Sequence, residues 1–339
     1  MDGDASDAVT APGLGDAAAD LPTVLARLDA DQADDRRAAI DTIRESLADR
    51  PGAYLPAVPK LRTLLEDPES DAHEEIAYCL AELAIESPTD VAPSTDVLVA
   101  FADQHPTHPA TGDLLRCLAV VAAASPSDVA DHVATIADVI DRRPGYDSRG
   151  LRLIQRVSVA SPDAVEPAVP ILSDALAADP EENGVLVLSS LGRFVRSAGS
   201  LPTLAFVDPA TTLVDHEETA LRRNAVGCLA DVAWEVPSAV EPATADLADV
   251  LAHEDPETRA NAAAALARVA AGTDASLERV ETSLLAVLED DRERVRANAC
   301  VAIGHGRLEG ATDRLEALAR EDPSAAVRER AEWALNRRS

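Results

Sequence analysis

Apolar residues return along much of this chain at the spacing of one helix face. The clearest copy is Asp290 to Gly304, DDRERVRANACVAIG, where Val295, Ala299, Ala302 and Ile303 fall at i, i+4, i+7 and i+8. Asp290 and Asp291 precede the stripe, where a helix N-terminus favours acids. Gly304 and Gly306 follow it as residues suited to a left-handed C-terminal turn. A helix this short has little stability alone, so neighbours must cover its stripe. The chain supplies them by repetition. With Arg296 as reference, Arg36, His73, Thr111, Arg222, Arg259 and Arg328 stand in the matching slot. Most are spaced by 37 or 38 residues or a multiple of 37, the last by 32. Three residues on stand Ala39, Ile76, Leu114, Ala225, Ala262, Ala299 and Ala331; seven on, an aliphatic residue recurs, from Ile43 and Leu80 to Ile303 and Leu335.

Prolines keep the same beat. Pro51, Pro88, Pro126, Pro162 and Pro237 recur at this period, with Ser87, Ser125 and Ser161 before three of them. A serine cap followed by proline at the first helical position predicts a new helix. A second proline five residues later (Pro56, Pro93, Pro167, Pro242) moves the start of the main second helix beyond it. Asp67-Pro68, Asp179-Pro180, Asp255-Pro256 and Asp322-Pro323 mark the ends of units. Each unit of about 35–40 residues is therefore a helical hairpin, and a fixed period of that size means a solenoid.

The runs Val295–Ile303 and Val327–Leu335, of the form VR-x-x-A-x-x-A-[LI], with Arg259–Leu266 lacking the valine, resemble the HEAT-repeat family. The shorter C-terminal copies resemble its phycobilisome-lyase subtype. The resemblance covers roughly residues 30–339. It implies an all-α fold: a right-handed α-solenoid of about eight HEAT-like hairpins with a C-terminal capping helix. Hairpins are expected near 31–67, 70–104, 108–143, 146–179, 181–216, 217–255, 256–290 and 291–322, with a cap at 324–339. The first twenty residues, MDGDASDAVTAPGLGDAAAD, lack a stripe and read as a disordered acidic tail. They carry no Lys or Arg, which argues against a secretory signal. The fifth unit departs most: Gly184, Gly192 and Gly199 interrupt it, and it holds Phe194 and Phe206. It reads as a degenerate but packed repeat, with a hinge or a partner pocket as the other reading.

Composition narrows the chemistry. Aromatics are 2% of the chain, so the core is built from Ala, Leu and Val. No stretch is long and apolar enough to span a bilayer. The formal net charge is −31, from 61 acids against 30 bases, and the only lysine is Lys60. Such a charge repels itself, and molar salt shortens the screening length to about 3 Å. The balance resembles proteins of salt-accumulating archaea and predicts a fold that tightens in concentrated KCl. The same field disfavours nucleic acid.

Candidate residues follow. The slot arginines Arg36, Arg222, Arg259, Arg296 and Arg328 are expected to be structural, because the HEAT resemblance implies a ladder of ion pairs between repeats. Arg149, Arg152 and Arg156 share one helix face, with Arg142 and Arg143 upstream. They read either as a solvated face paired with acids of adjoining hairpins or as a dock for an acidic partner. With Phe194 they form the expected partner contact, in a groove lined by the second helices. Cys79, Cys117, Cys228 and Cys300 contain no C-x-x-C pair and read as buried thiols in a reducing cytoplasm. His73-Glu74, His216-Glu217 and His253-Glu254 resemble the His-Glu pairs of deoxyhypusine hydroxylase, a HEAT-type di-iron enzyme. Their phases differ and a fourth pair is absent. No nucleotide-loop, nucleophile-elbow or zinc-protease motif is present. The expected role is a non-catalytic protein-interaction scaffold, cytoplasmic and without cofactor. A HEAT-type metalloenzyme or bilin-lyase-like protein and a nucleic-acid binder are the alternatives.

Overall fold

The computed structural model describes residues 21–197 and 200–338. The expected tail at 1–20 and Gly199 lie outside them. The described residues contain helices and no strand. Nine long helices form one layer: α1 (Ala33–Ser46), α2 (His73–Glu86), α3 (Pro109–Ala124), α4 (Ser148–Ala160), α5 (Pro180–Ser197), α6 (Thr219–Glu235), α7 (Pro256–Gly272), α8 (Glu293–Gly306) and α9 (Ala325–Arg338). Each packs along the next. Eight shorter helices form the second layer: Val58–Leu65, Thr95–Gln104, Val133–Asp141, Val169–Ala178, Val207–Thr211, Thr244–Asp249, Glu281–Ala286 and Thr312–Glu321. The chain is thus an all-α solenoid of eight hairpins, closed by α9. One further helix, Leu21–Leu28, packs against α1 at the other end.

The repeat's packing code explains the layers. On α2 the buried residues are Ile76, Ala77, Cys79, Leu80, Ala81, Leu83 and Ala84; on α7 they include Ala262, Ala263, Ala265, Leu266 and Val269. Alanine at these positions lets long helices approach closely, while the leucines fill the space between layers. Burying one such leucine is worth roughly 1.5–3 kcal/mol, so the two layers hold each other along a continuous core.

The paired prolines shape each hairpin. Pro51 and Pro56 lie in a 3₁₀ turn (Pro51–Ala57), as do Pro162 and Pro167 (Pro162–Ala168), and the second helix starts just after. The expected serine caps do not form. Ser87 is extended, and its hydroxyl donates to Asp90 Oδ2 at 2.5 Å instead of accepting from the following backbone; its carbonyl accepts the Asp90 N–H.

Two glycines are placed otherwise than the stripe suggests. α8 runs through Gly304 and Gly306, and the left-handed residue that ends it is Arg307 (φ 53°). Gly304 serves close packing: a Cβ there would lie 2.6 Å from the Trp333 ring and 2.9 Å from Ala334 Cα on α9. Gly184 does the same in the fifth hairpin, where a Cβ would meet Leu221 of α6 at 2.7 Å. That contact offsets the helix cost of glycine. Phe194 and Phe206 are both buried, so this unit is packed through.

Candidate functional site

The slot residue has one shared job. In seven of the nine long helices it stands near the start and bonds the carbonyl six residues earlier, where the previous hairpin ends. Arg36 donates to Ala30, Arg222 to His216, Arg259 to His253, Arg296 to Asp290 and Arg328 to Asp322, at 2.5–2.9 Å. His73 Nε2 meets the Asp67 carbonyl at 3.0 Å and the Thr111 hydroxyl meets that of His105 at 2.6 Å. These bonds satisfy buried or half-buried carbonyls that a turn leaves open.

The residue six before the slot decides whether a rung forms between repeats. Where it is aspartate, its side chain accepts a backbone N–H two residues on: Asp67 from Glu69, Asp290 from Arg292, Asp322 from Ser324. It also faces the preceding slot arginine. Arg259 binds Asp290 through two bonds of 2.6 and 3.0 Å, Arg296 binds Asp322 at 2.8 and 2.9 Å, and Arg36 reaches Asp67 at 3.8 Å. Burial opposes ionisation of Asp290 and Asp322, but the arginine and backbone donors outweigh it and hold both carboxyls below their ordinary range. Where the position is histidine, the turn survives and the rung does not. His216 Nδ1 accepts from Glu218 N–H and His253 Nδ1 from Asp255 N–H. Arg222, whose rung would need an acid at 253, keeps a buried Nε without a hydrogen-bond partner. Its neighbour Arg223 binds Asp255 instead and holds that carboxyl well below its ordinary range.

The three face arginines stand apart from this framework. Buried Gly150, Leu151, Leu153, Ile154, Val157 and Ser158 set the phase of α4, which puts Asp147 in the slot. Arg149, Arg152 and Arg156 are then all exposed, on the outer side of the long-helix layer. Among the described residues no ion pair engages any of them. The expected pairing with acids of adjoining hairpins belongs to the upstream pair: Arg142 binds Asp103, and Arg143 binds Asp147 at 2.7 Å. Arg149 lies across α3, its Nη1 1.8 Å from where a Cβ on Gly112 would stand. The expected groove is corrected in two respects. The arginines lie on the first helices of the hairpins, not the second. Phe194 is 2% exposed and belongs to the core, so it presents no contact surface. The large apolar residues most exposed among those described are instead Val159 on α4, 60% exposed, and Trp234 on α6, 68% exposed. Between them, Arg193 bonds Ser158 and the Ser189 carbonyl, and Arg196 binds Asp231. Burial raises the pKa of Asp231 despite Arg196 and Arg268, and Arg268 stacks 5.3 Å over the Trp234 ring.

A second feature escapes the periodic pattern. Along hairpin two, from the end of hairpin one to the turn that leads into hairpin three, lies a cleft of about 650 Å³. Phe101 lines it, with ring centroids 5.0 Å from His73, 4.8 Å from His105 and 5.7 Å from His108. Glu66 and Asp96 stand among its lining residues. Burial, with repulsion from His73 and His105, lowers the pKa of His108 against the pull of Glu74. The three histidines come from a slot, a turn and a helix cap, so no fixed spacing announces them.

The remaining candidates are dispersed. His73, His216 and His253 serve three separate turns, and no described cluster of His, Cys, Asp and Glu is arranged to hold a metal ion. The four cysteines are buried, and desolvation pushes Cys79, Cys117 and Cys300 up to about 12 and raises Cys228 as well. No described helix is long and apolar enough to cross a membrane.

Comparison with known proteins bears on the fold. Residues 244–336 match the family described as HEAT repeats. No curated protein matches the chain. An engineered protein of known structure is similar over 94% of this chain and 88% of its own, with a TM-score of 0.75 and 17% identity. A chain from work on a phosphorylation switch controlling the interaction between cadherin and β-catenin matches over 89% of this chain and 66% of its own, with a TM-score of 0.71 and 16% identity. A designed armadillo repeat protein in complex with the peptide (KR)4 matches over 61% of this chain and 99% of its own, with a TM-score of 0.53 and 18% identity. At these identities the likeness is one of fold.

Proposed function

We propose that this α-solenoid of HEAT and armadillo type works as a non-catalytic scaffold that holds a protein partner on its long-helix face. The observation that carries the reading is the trio Arg149, Arg152 and Arg156, exposed on successive turns of α4 and engaged by no carboxylate of the described residues, in a chain of net charge −31. The three like charges repel one another and form a local positive patch on an otherwise acidic surface, which an acidic segment of a partner would neutralise. Exposed Val159 and Trp234 add apolar contact of the kind that anchors interfaces. Armadillo-type neighbours include one in complex with a peptide, which supports protein partners for this architecture. The charge balance disfavours nucleic acid. The double charge reversal R149E/R152E tests the reading: capture from the native host at native salt should lose partners that the unaltered chain retains. An unchanged partner set removes the assignment.

The acid excess is read as adaptation to concentrated salt, with the solenoid working in the cytoplasm. Helical circular dichroism should strengthen from dilute buffer to molar KCl; a signal independent of salt contradicts this part of the proposal.

A further inference from the structure

The cleft along hairpin two lies away from the α4 arginines and has the opposite chemistry. Leu65, Val97, Ala100 and Phe101 give it apolar lining, and the imidazoles of His73, His105 and His108 line it around the Phe101 ring. This gathers three of the chain's seven histidines and one of its three phenylalanines into one place, in a protein with 2% aromatic residues. No lysine or arginine lines it, while Glu66 and Asp96 do. Asp96 carries a side chain 90% exposed and meets His132 at 3.1 Å. The adjoining segment Glu66–Glu75, EDPESDAHEE, adds acids and no lysine or arginine. Arg36 and Arg37 engage Asp67, Asp71 and Glu75 of that segment, and no ion pair among the described residues engages Glu66.

We propose that this cleft is a binding site for an arginine side chain presented by a basic peptide. The guanidinium stacks on the Phe101 and histidine rings and pairs with Glu66 and Asp96. Three properties select this ligand. The negative rim admits a cation and rejects phosphate or carboxylate. Aromatic faces attract a cation over the ring. A guanidinium is planar and weakly hydrated, so it stacks and desolvates more readily than the compact ammonium of lysine. The cleft is several times larger than one side chain, which leaves room for flanking peptide backbone. This site is independent of the acidic-partner face on α4, and the two can succeed or fail separately.

The test uses the full chain at a fixed KCl concentration and titrates it calorimetrically with three capped peptides, Gly-Gly-X-Gly-Gly, where X is arginine, lysine or citrulline. Citrulline keeps the shape of arginine and loses its charge. The proposal expects saturable binding of the arginine peptide, several-fold weaker binding of the lysine peptide, and citrulline weaker by about tenfold or more. E66Q/D96N, which alters two rim carboxylates, should weaken the arginine peptide by about tenfold. H105A, at an exposed wall residue, should weaken it too, while R149E/R152E should leave it unchanged. Citrulline binding as tightly as arginine overturns the proposal, and so does arginine binding that survives E66Q/D96N. Absence of saturable binding by folded protein, with its helical signal intact, overturns it as well.

Discussion

Arginine does two different jobs in the C-terminal hairpins and in α4. In α7 and α8 the slot arginines are half-buried or buried and each is fixed by a carbonyl behind and an aspartate ahead. In α4 the slot is Asp147, and three arginines stand two, five and nine positions further on, exposed and without a carboxylate partner among the described residues. The residue type is the same; the register decides whether it braces the stack or faces outward. Between these extremes lies Arg222, which has the slot register and lacks the acid opposite. One position in the neighbouring turn, Asp290 or Asp322 against His253, accounts for that difference.

The contrast can be broken most forcefully at its buried end. Asp322→Ala leaves Arg296 buried with only its carbonyl bond and strips Ser324 N–H of its acceptor. Removing one partner of such a pair should cost about 3 kcal/mol, measured by urea unfolding. Asp67→Ala, where the pair is partly exposed and 3.8 Å apart, should cost under about 1 kcal/mol. Equal losses at the two sites would mean that burial does not grade the rungs. The contrast is sharpened by completing the missing rung. His253→Asp keeps the side-chain acceptor for Asp255 N–H and gives Arg222 Nε a carboxylate, which should add about 1 kcal/mol. A destabilised variant would show that the added acid repels Glu254 and Asp255 more than it attracts Arg222.

Acidity separates the two ends more gently. Asp290 and Asp322 titrate below the ordinary carboxylate range, so the stability they contribute is present above about pH 4 and lost as pH falls through their lowered values. His108 has a lowered pKa, so its contribution is present above about pH 6.5 and lost as pH falls below that. Unfolding followed from pH 7 to 5 should show a shallow decline that His108→Gln reduces, before the steeper loss at lower pH. A flat profile in that upper window contradicts the burial of neutral His108.

Sequence reading went furthest where packing repeats. Ala299 and Ile303, or Ile76 and Leu80, are visible because every copy must fill the same space between helices. The fourth and fifth slots are not legible in the sequence, because Asp147 and Gly184 share no chemistry with arginine; only the buried sets reveal the phase, Val187, Leu188, Ser190 and Leu191 putting Gly184 in the slot of α5. The turn position six before the slot was hidden for a related reason. Aspartate and histidine both accept a backbone N–H there, and only the fold brings the aspartate within reach of the preceding arginine. Phe194 departs from the expected contact because the fifth hairpin buries it as core. The exposed Trp234 and Val159 follow from helix register, which the sequence left uncertain at α4. The histidine cleft joins three different structural positions and has no period to detect.

The most direct measurement pairs stability with recognition in one variant, R149E/R152E/R156E, assayed against an aspartate- and glutamate-rich peptide by fluorescence anisotropy at matched KCl. If the outward arginines serve recognition and the slot arginines serve the stack, this variant unfolds within about 0.5 kcal/mol of the unaltered chain and loses binding to the acidic peptide. Unchanged binding, or unfolding as severe as that of Asp322→Ala, would contradict the account.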